Sequence, residues 1–234
     1  MRAILKREFL AYFRTPLGYV LIGAMYLFTG YFFFTFNIFG NTTNTSDLFA
    51  TLFSVVLFLI PVLTMRLLSE ERRAKTDQTL LTAPVSRLSI VLCKYLAALC
   101  VYAIAISGTL LAAAILQVYS QPDWPVIVGN FLGLFLLGAT LIAICLFISS
   151  ITENQVIAAV GGFGVSLLLI LLDALQFVVR NNLLRQAIGH MSFHRRYRGF
   201  TIGLISLPDA LFFISIAACF LLLAVCVLER RRWS

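Results

Sequence analysis

Six long apolar runs dominate the chain, and short polar stretches separate them. They cover residues 17–38, 48–68, about 88–119, 125 to about 151, 155 to about 175, and 207–228. Each is near or above the ~20 residues that a helix needs to cross the hydrocarbon core of a bilayer. The third run is longer than that, so it is expected to tilt or to reach into water at one end. None has the short core of a signal peptide and no small-residue cleavage site follows the first, so the amino-terminal segment is expected to stay attached. The pattern predicts an all-α membrane protein with six transmembrane helices in a single domain over residues 1–234.

The polar stretches carry their own patterns. In MRAILKREFLAYFR, helical spacing puts Leu5, Phe9, Tyr12 and Phe13 near one side and Lys6, Arg7 and Arg14 toward another, with Leu10 off the apolar side. Residues 1–16 therefore read as an amphipathic helix in the membrane interface. The plainer alternative is a basic flank that only sets topology. The stretch SEERRAKTDQTLLTAPVSR, residues 69–87, is the sharpest interruption of the apolar pattern. Residues 75–82 allow about two helical turns. Pro84 ends them, Ala83 is pushed toward extended geometry, and Ser86 suits the cap of the next helix.

Leu80 and Leu81 then sit on a short helix across the membrane surface, flanked by Glu70, Glu71, Arg72, Arg73, Lys75 and Asp77. Exposed leucines among charges of both signs suit a grooved protein partner. A solvated linker is the bland alternative. Retaining topology needs only Lys and Arg, so the acids call for pairing with each other or with a docked protein.

Composition agrees with the run lengths. The chain is 61% hydrophobic and 12% charged, with mean hydropathy +0.97. Soluble domains carry about 25% charged residues, so lipid must be part of the solvent here. The net charge of +8 sits at the ends of apolar runs and not among aromatics in a polar segment. That arrangement speaks for anionic headgroups and topology and against nucleic acid. Cys93, Cys100, Cys145, Cys219 and Cys226 all lie inside apolar runs without a CxxC pair, so they read as small hydrophobes.

Basic residues set the orientation. Arg2, Lys6, Arg7 and Arg14 precede the first span; Arg66, Arg72, Arg73, Lys75, Arg87 and Lys94 fall between the second and third; Arg230, Arg231 and Arg232 follow the last. The stretches GNTTNTSD and SQPDWP have no Lys or Arg. Both termini are therefore expected in the cytoplasm. Residues 176–206 oppose the rule, because they fall outside by parity yet carry Arg180, Arg185, Arg195, Arg196 and Arg198. Phe177, Leu184, Ala187, Ile188 and Met191 give this stretch a helical stripe. It is expected to form a basic cap over the outer membrane face, meeting an anionic lipid, a substrate or an extracytoplasmic partner.

Small residues mark where spans approach closely. Gly129 and Gly133 form a GxxxG, and Ala158, Gly162 and Ser166 share one face beside Gly161 and Gly164. Close packing of spans explains them; a flexible point in a path is the alternative. Asp173, near the outer end of the fifth span, is a candidate intramembrane polar residue or an interfacial acid paired with a residue such as Arg180. His190 and His194 are four apart, yet no third ligand is near in sequence and arginines surround them, so no metal site is expected. No GxxxxGK[ST] run exists to cradle nucleotide phosphates, and the glycines of AAVGGFG lie in a span without the lysine.

These features together resemble the membrane subunits of type-2 ABC exporters, and more narrowly permeases of the gliding-motility and nitrous-oxide-reductase-maturation type. The resemblance covers nearly the whole chain. It rests on REF at 7–9, EERR at 70–73, TLLTAPVSR at 79–87 with Lys94 after it, and LERRRW at 228–233; the 79–87 match is the most specific. It implies a dimeric permease in the bacterial cytoplasmic membrane, formed with a second copy or a paralogue. It further implies that 69–87 is a coupling loop whose helix sits in a cleft of a cytoplasmic ABC ATPase. Glu70, Glu71, Arg72, Arg73, Thr79, Leu80, Leu81 and Pro84 would be the coupling residues.

ATP and Mg2+ would then belong to that partner, with no cofactor in this chain. The family also implies short external helices before the last span, which fits 176–206. The apolar lining of the second and fifth spans favours a lipid-like or otherwise hydrophobic substrate, if one is carried. An alternative is a membrane anchor that passes ATP-driven motion to an extracytoplasmic partner without transport. An embedded enzyme is disfavoured, because the spans hold no acid pair and no Ser–His arrangement.

Overall fold

The computed structural model describes residues 2–73, 87–119, 123–178, 189, 192–201, 203 and 206–230. These residues form helices α1 (Arg2–Arg14), α2 (Pro16–Phe33), α3 (Ser46–Thr64), α4 (Ser69–Arg73), α5 (Arg87–Tyr119), α6 (Trp124–Ile151), α7 (Gln155–Val178), α8 (Phe193–Thr201) and α9 (Leu207–Arg230). Six of the helices, α2, α3, α5, α6, α7 and α9, are long and apolar enough to cross a membrane. The described residues contain no strand.

Local chemistry sets the boundaries. Thr15 is extended and Pro16 opens α2, where its missing N–H costs nothing and its fixed φ suits a first turn. After Phe33 the helix widens into a π-helical segment, Phe34–Phe39, which carries the first span to the length its apolar run predicts. Asn37 then donates from Nδ2 to the carbonyls of Thr42 (3.0 Å) and Asn44 (3.2 Å), folding the connection back toward α3.

The second span ends earlier than its apolar run. Helix α3 stops at Thr64 and a turn occupies 65–68. Pro61 lies inside α3 and cannot donate to the carbonyl of Leu57 one turn back. The Ser166 hydroxyl of α7 supplies the missing donor, at 2.7 Å from the Leu57 oxygen. A buried carbonyl in lipid must find a donor within the protein, and here it comes from the neighbouring span. The Ala158–Gly162–Ser166 face fits around the same proline: a Cβ on Gly162 would come 2.9 Å from Pro61 Cβ. This stripe is thus a packing face.

Helix α6 is the centre of the bundle. Its apolar window is 67% buried, against 22% for α7 and 17% for α9, so those two helices present most of their surface outward. Leu134, Leu137, Leu141, Ile142 and Leu146 are fully buried on α6. Tyr102 of α5 lies flat on it and donates to the Leu134 carbonyl at 2.7 Å, over the bare backbone of Gly138. Thr140 reaches the Phe213 carbonyl of α9 at 3.0 Å.

The GxxxG of α6 does not join two spans, contrary to the sequence expectation. It seats the short helix α8. A Cβ on Gly133 would fall 2.7 Å from Phe200 Cβ, and one on Gly129 would fall 3.2 Å from the Phe200 carbonyl. Phe200 and Tyr197 are fully buried, because α8 turns its aromatic face onto the bundle, while Arg195 and Arg198 stay exposed. The cysteines also divide: Cys93 and Cys145 are buried, whereas Cys100, Cys219 and Cys226 are exposed on the outer faces of apolar helices.

The bundle therefore has two ends. The proximal end holds α1, the 65–68 turn, α4, the start of α5 and the end of α9. The distal end holds the π-helical segment, the 40–45 loop, the start of α6, and α8.

Candidate functional site

At the proximal end, α1 is tied to the bundle by one buried ion pair. Lys94 Nζ lies 3.1 Å from Glu8 Oε2, with the lysine side chain 2% exposed and the glutamate 12%. Arg7 reaches Glu8 from the other side at 2.6 Å. Burial works to raise the Glu8 carboxyl, but Lys94 and Arg7 outweigh it and hold the group below its ordinary value of 4.5. One turn on, the buried Tyr12 donates to the Leu63 carbonyl at the end of α3, at 3.3 Å. Burial, reinforced by Glu8, pushes the Tyr12 phenol well above its ordinary range.

The neck that follows α3 is fixed as firmly. The backbone amides of Leu68 and Ser69 donate to the Ser149 hydroxyl of α6 at 3.2 and 3.1 Å. The Ser69 hydroxyl donates back to the Met65 carbonyl. Arg66 forms a two-point contact with Glu70, at 2.8 and 2.6 Å, one turn further on. That bonding, with Glu70 the main cause, holds the Arg66 guanidinium more firmly protonated still. Arg87, at the start of α5, lies 3.6 Å from Glu229 at the end of α9.

Of the predicted coupling residues, Glu70 and Arg73 sit on α4, and the backbone of Glu71 and Arg72 continues the same helix. Thr79, Leu80, Leu81 and Pro84 lie outside the described residues. The expectation that acids in this stretch pair with neighbouring bases holds for Glu70. Its base is Arg66, from before the interruption.

At the distal end, Arg195, Arg196 and Arg198 sit on α8, whereas Arg180 and Arg185 lie outside the described residues. Arg196 is a structural residue: it bonds Asp209 of α9 at 2.9 Å and its guanidinium stands 4.0 Å from the centre of the Phe212 ring. Asp209 also accepts from Ser206. Asp173 accepts from the Ser192 hydroxyl. That hydroxyl in turn accepts the Arg195 amide at 3.0 Å, as a helix cap does. Asp173 thus anchors the start of α8. Tyr197 donates to the Phe49 carbonyl at 3.0 Å, and Ser46 donates to the Thr201 carbonyl at 2.9 Å.

His194 turns its ring onto Phe53, 5.2 Å between centroids, and His190 lies outside the described residues. Among the described residues no group of three or more metal-ligating side chains comes together.

Sequence reasoning missed Glu8, Ser149, Ser192 and Asp209, and it counted Lys94 among the basic residues that set topology and as part of the resemblance, not as a buried ion-pair partner. Two of these left a signal: Glu8 is the one acid in a basic helix, and Lys94 is a lone charge two turns into an apolar helix.

The comparison with known families closes the question of class. A search among curated proteins gives no match. The family described as ABC-2 family transporter protein matches residues 31–231, from the second half of the first span to the end of the last. The chain belongs to the ABC-2 family and is a multi-pass membrane subunit of an ABC transporter.

Proposed function

We propose that the chain is the permease of an ATP-driven exporter in a bacterial cytoplasmic membrane, with both termini in the cytoplasm. It works as a dimer with a second copy or a paralogue, and residues 69–87 take up force from a separate cytoplasmic ATPase. ATP and Mg2+ act in that partner, and this chain supplies no catalytic group. Within the family, the TLLTAPVSR motif at 79–87 supports the gliding-motility and nitrous-oxide-reductase-maturation type.

The observation that carries this reading is the rigid neck. Helix α4 is bonded to α6 through Ser149 and to the 65–68 turn through Arg66–Glu70. A push on the segment that follows α4 therefore reaches the central helix directly. The basis of switching is two arrangements of the dimer that bind substrate unequally, with ATP biasing one of them.

Affinity purification of the tagged chain in mild detergent is expected to bring down an ATPase. Exchange of Leu80 and Leu81 for Asp is expected to remove it while the permease still elutes as a monodisperse species. Retention of the ATPase and of linked ATP turnover in that variant would overturn the coupling role. Purification without any ATPase would overturn the transporter mechanism.

A further inference from the structure

The distal end carries a cleft of about 820 Å³ that the coupling reading does not use. Its walls are the 43–45 loop, the start of α3, the start of α6 and one face of α8. Asp47, Asp123, His194 and Arg198 all line it. Among the described residues, none of Asp47, Asp123 and Arg198 makes an ion pair, although both signs share one cavity. Arg196, two residues from Arg198 on the same helix, is held by Asp209. The charges in the cleft are thus left available where a neighbour is tied down.

A second feature lies beneath. Asn130 is fully buried, and neither its Nδ2 nor its Oδ1 has a partner. It stands four residues after Val126, which lines the cleft, and so one turn deeper on the same face of α6. Asn37, whose Nδ2 holds the loop at Thr42 and Asn44, also leaves its buried Oδ1 without a partner. An unsatisfied buried amide costs about 1–3 kcal/mol, but neither side chain lines the cleft, so the charged lining carries the inference.

We propose that this cleft binds a zwitterionic phosphoethanolamine headgroup, its ammonium on Asp47 and Asp123 and its phosphate on Arg198. A simple anion would meet two carboxylates, and a simple cation would meet the guanidinium. A ligand with both charges matches the whole lining. Arg198 suits a phosphate because its planar fork donates two parallel bonds. A primary ammonium has three N–H donors for the carboxylates and the Thr43 hydroxyl. A quaternary ammonium is recognised by a cage of aromatic faces, and the cleft offers Tyr197, already buried and bonded to Phe49. Exposed Trp124, Phe39 and Tyr119 stand at this end of the bundle. Such aromatics mark the headgroup level of a membrane, which favours a lipid as the source.

The site stands independently of the ATPase, and its test needs only this chain. The purified full chain in detergent is titrated with short-chain phosphatidylethanolamine, phosphatidylcholine and phosphatidylglycerol, and binding is followed by native mass spectrometry and by the midpoint of thermal unfolding. Phosphatidylethanolamine is expected to bind at least tenfold more tightly than the other two. Arg198→Ala and the double variant Asp47→Asn/Asp123→Asn are each expected to lose that preference while unfolding normally without lipid. Free phosphoethanolamine serves as competitor. Displacement shows that the headgroup alone suffices, and failure to displace assigns the site to the intact lipid. Equal binding of the three lipids, or a preference untouched by all of these substitutions, overturns the proposal.

Discussion

At the proximal end Glu8 and Lys94 stand 3.1 Å apart with the lysine almost wholly buried; at the distal end Asp47, Asp123 and Arg198 share an open cleft without an ion pair among the described residues. The proximal contacts join segments far apart in sequence. Residue 8 meets 94, residue 12 meets 63, and residues 68 and 69 meet 149. Each contact ties the amino-terminal helix or the neck to a different span, so that end is built as one unit. The distal tethers are mostly hydroxyls on carbonyls, and its charges divide between a structural set, Arg196 and Asp209, and an unpaired set. Rigid linkage suits an end that receives force. Unpaired polarity suits an end that receives a ligand.

The largest expected effect lies in the buried pair. Lys94→Met leaves Glu8 with Arg7 but without the ammonium beneath it. Removing one member of a buried pair typically costs about 3–5 kcal/mol, because the other charge stays desolvated. Glu8→Gln combined with Lys94→Met is expected to recover much of that loss, since both buried charges are removed together. Thermal unfolding of the single and double variants checks both statements. If Lys94→Met unfolds like the wild type, the proximal end is not the clamped end.

Acid sharpens the same point. The Glu8 carboxyl is depressed below 4.5, so its contribution is complete above that value and fades as the pH falls through the lower folded value. The Glu8→Gln variant is expected to have a flatter stability profile than the wild type over that acidic window.

Next in size is the seat of α8. Gly133→Ala places a Cβ 2.7 Å from Phe200 Cβ and 2.9 Å from its Cγ, so the base of a fully buried side chain must shift. Overpacking of this kind costs about 1–3 kcal/mol. The effect is expected to be confined to the distal end: thiol labelling at a cysteine introduced in α8 should speed up, while association with the ATPase is unchanged. Loss of that association would mean that the two ends are not mechanically separate.

The sequence made the six spans legible because run length against bilayer thickness is a one-dimensional quantity. The spacing of α1 also separated Tyr12, which is buried, from Leu10, which is exposed, although it read that apolar side as facing the membrane interface. Hydropathy could not see the turn at 65–68, since its residues are mostly as apolar as a helix; Pro61 was the available warning. Small-residue spacing found the faces of α6 and α7 that admit a close neighbour, but spacing says nothing about which neighbour. The Gly129–Gly133 face therefore went to the wrong partner. The Glu8–Lys94 pair was illegible for a plainer reason: 86 residues separate its members, and only the folded bundle brings them together. Of the eight residues proposed for coupling, the described structure reaches Glu70 to Arg73.

The smallest expected effect compares two arginines on one helix. Arg196→Ala removes a 2.9 Å ion pair and a guanidinium over Phe212. Both partners are about one-fifth exposed, so solvent screens part of the interaction, and a loss of about 1 kcal/mol is expected. Arg198→Ala removes no ion pair among the described residues and is expected to stay within about 0.5 kcal/mol of wild type when lipid is withheld. Addition of phosphatidylethanolamine should then reverse the ranking. The lipid raises the unfolding midpoint of wild type and of Arg196→Ala, because ligand that binds only the folded state stabilises it by mass action. Arg198→Ala gains nothing and becomes the less stable of the two. A ranking unchanged by the lipid would mean that the unpaired arginine is surface charge alone, and the contrast between the two ends would reduce to one of burial.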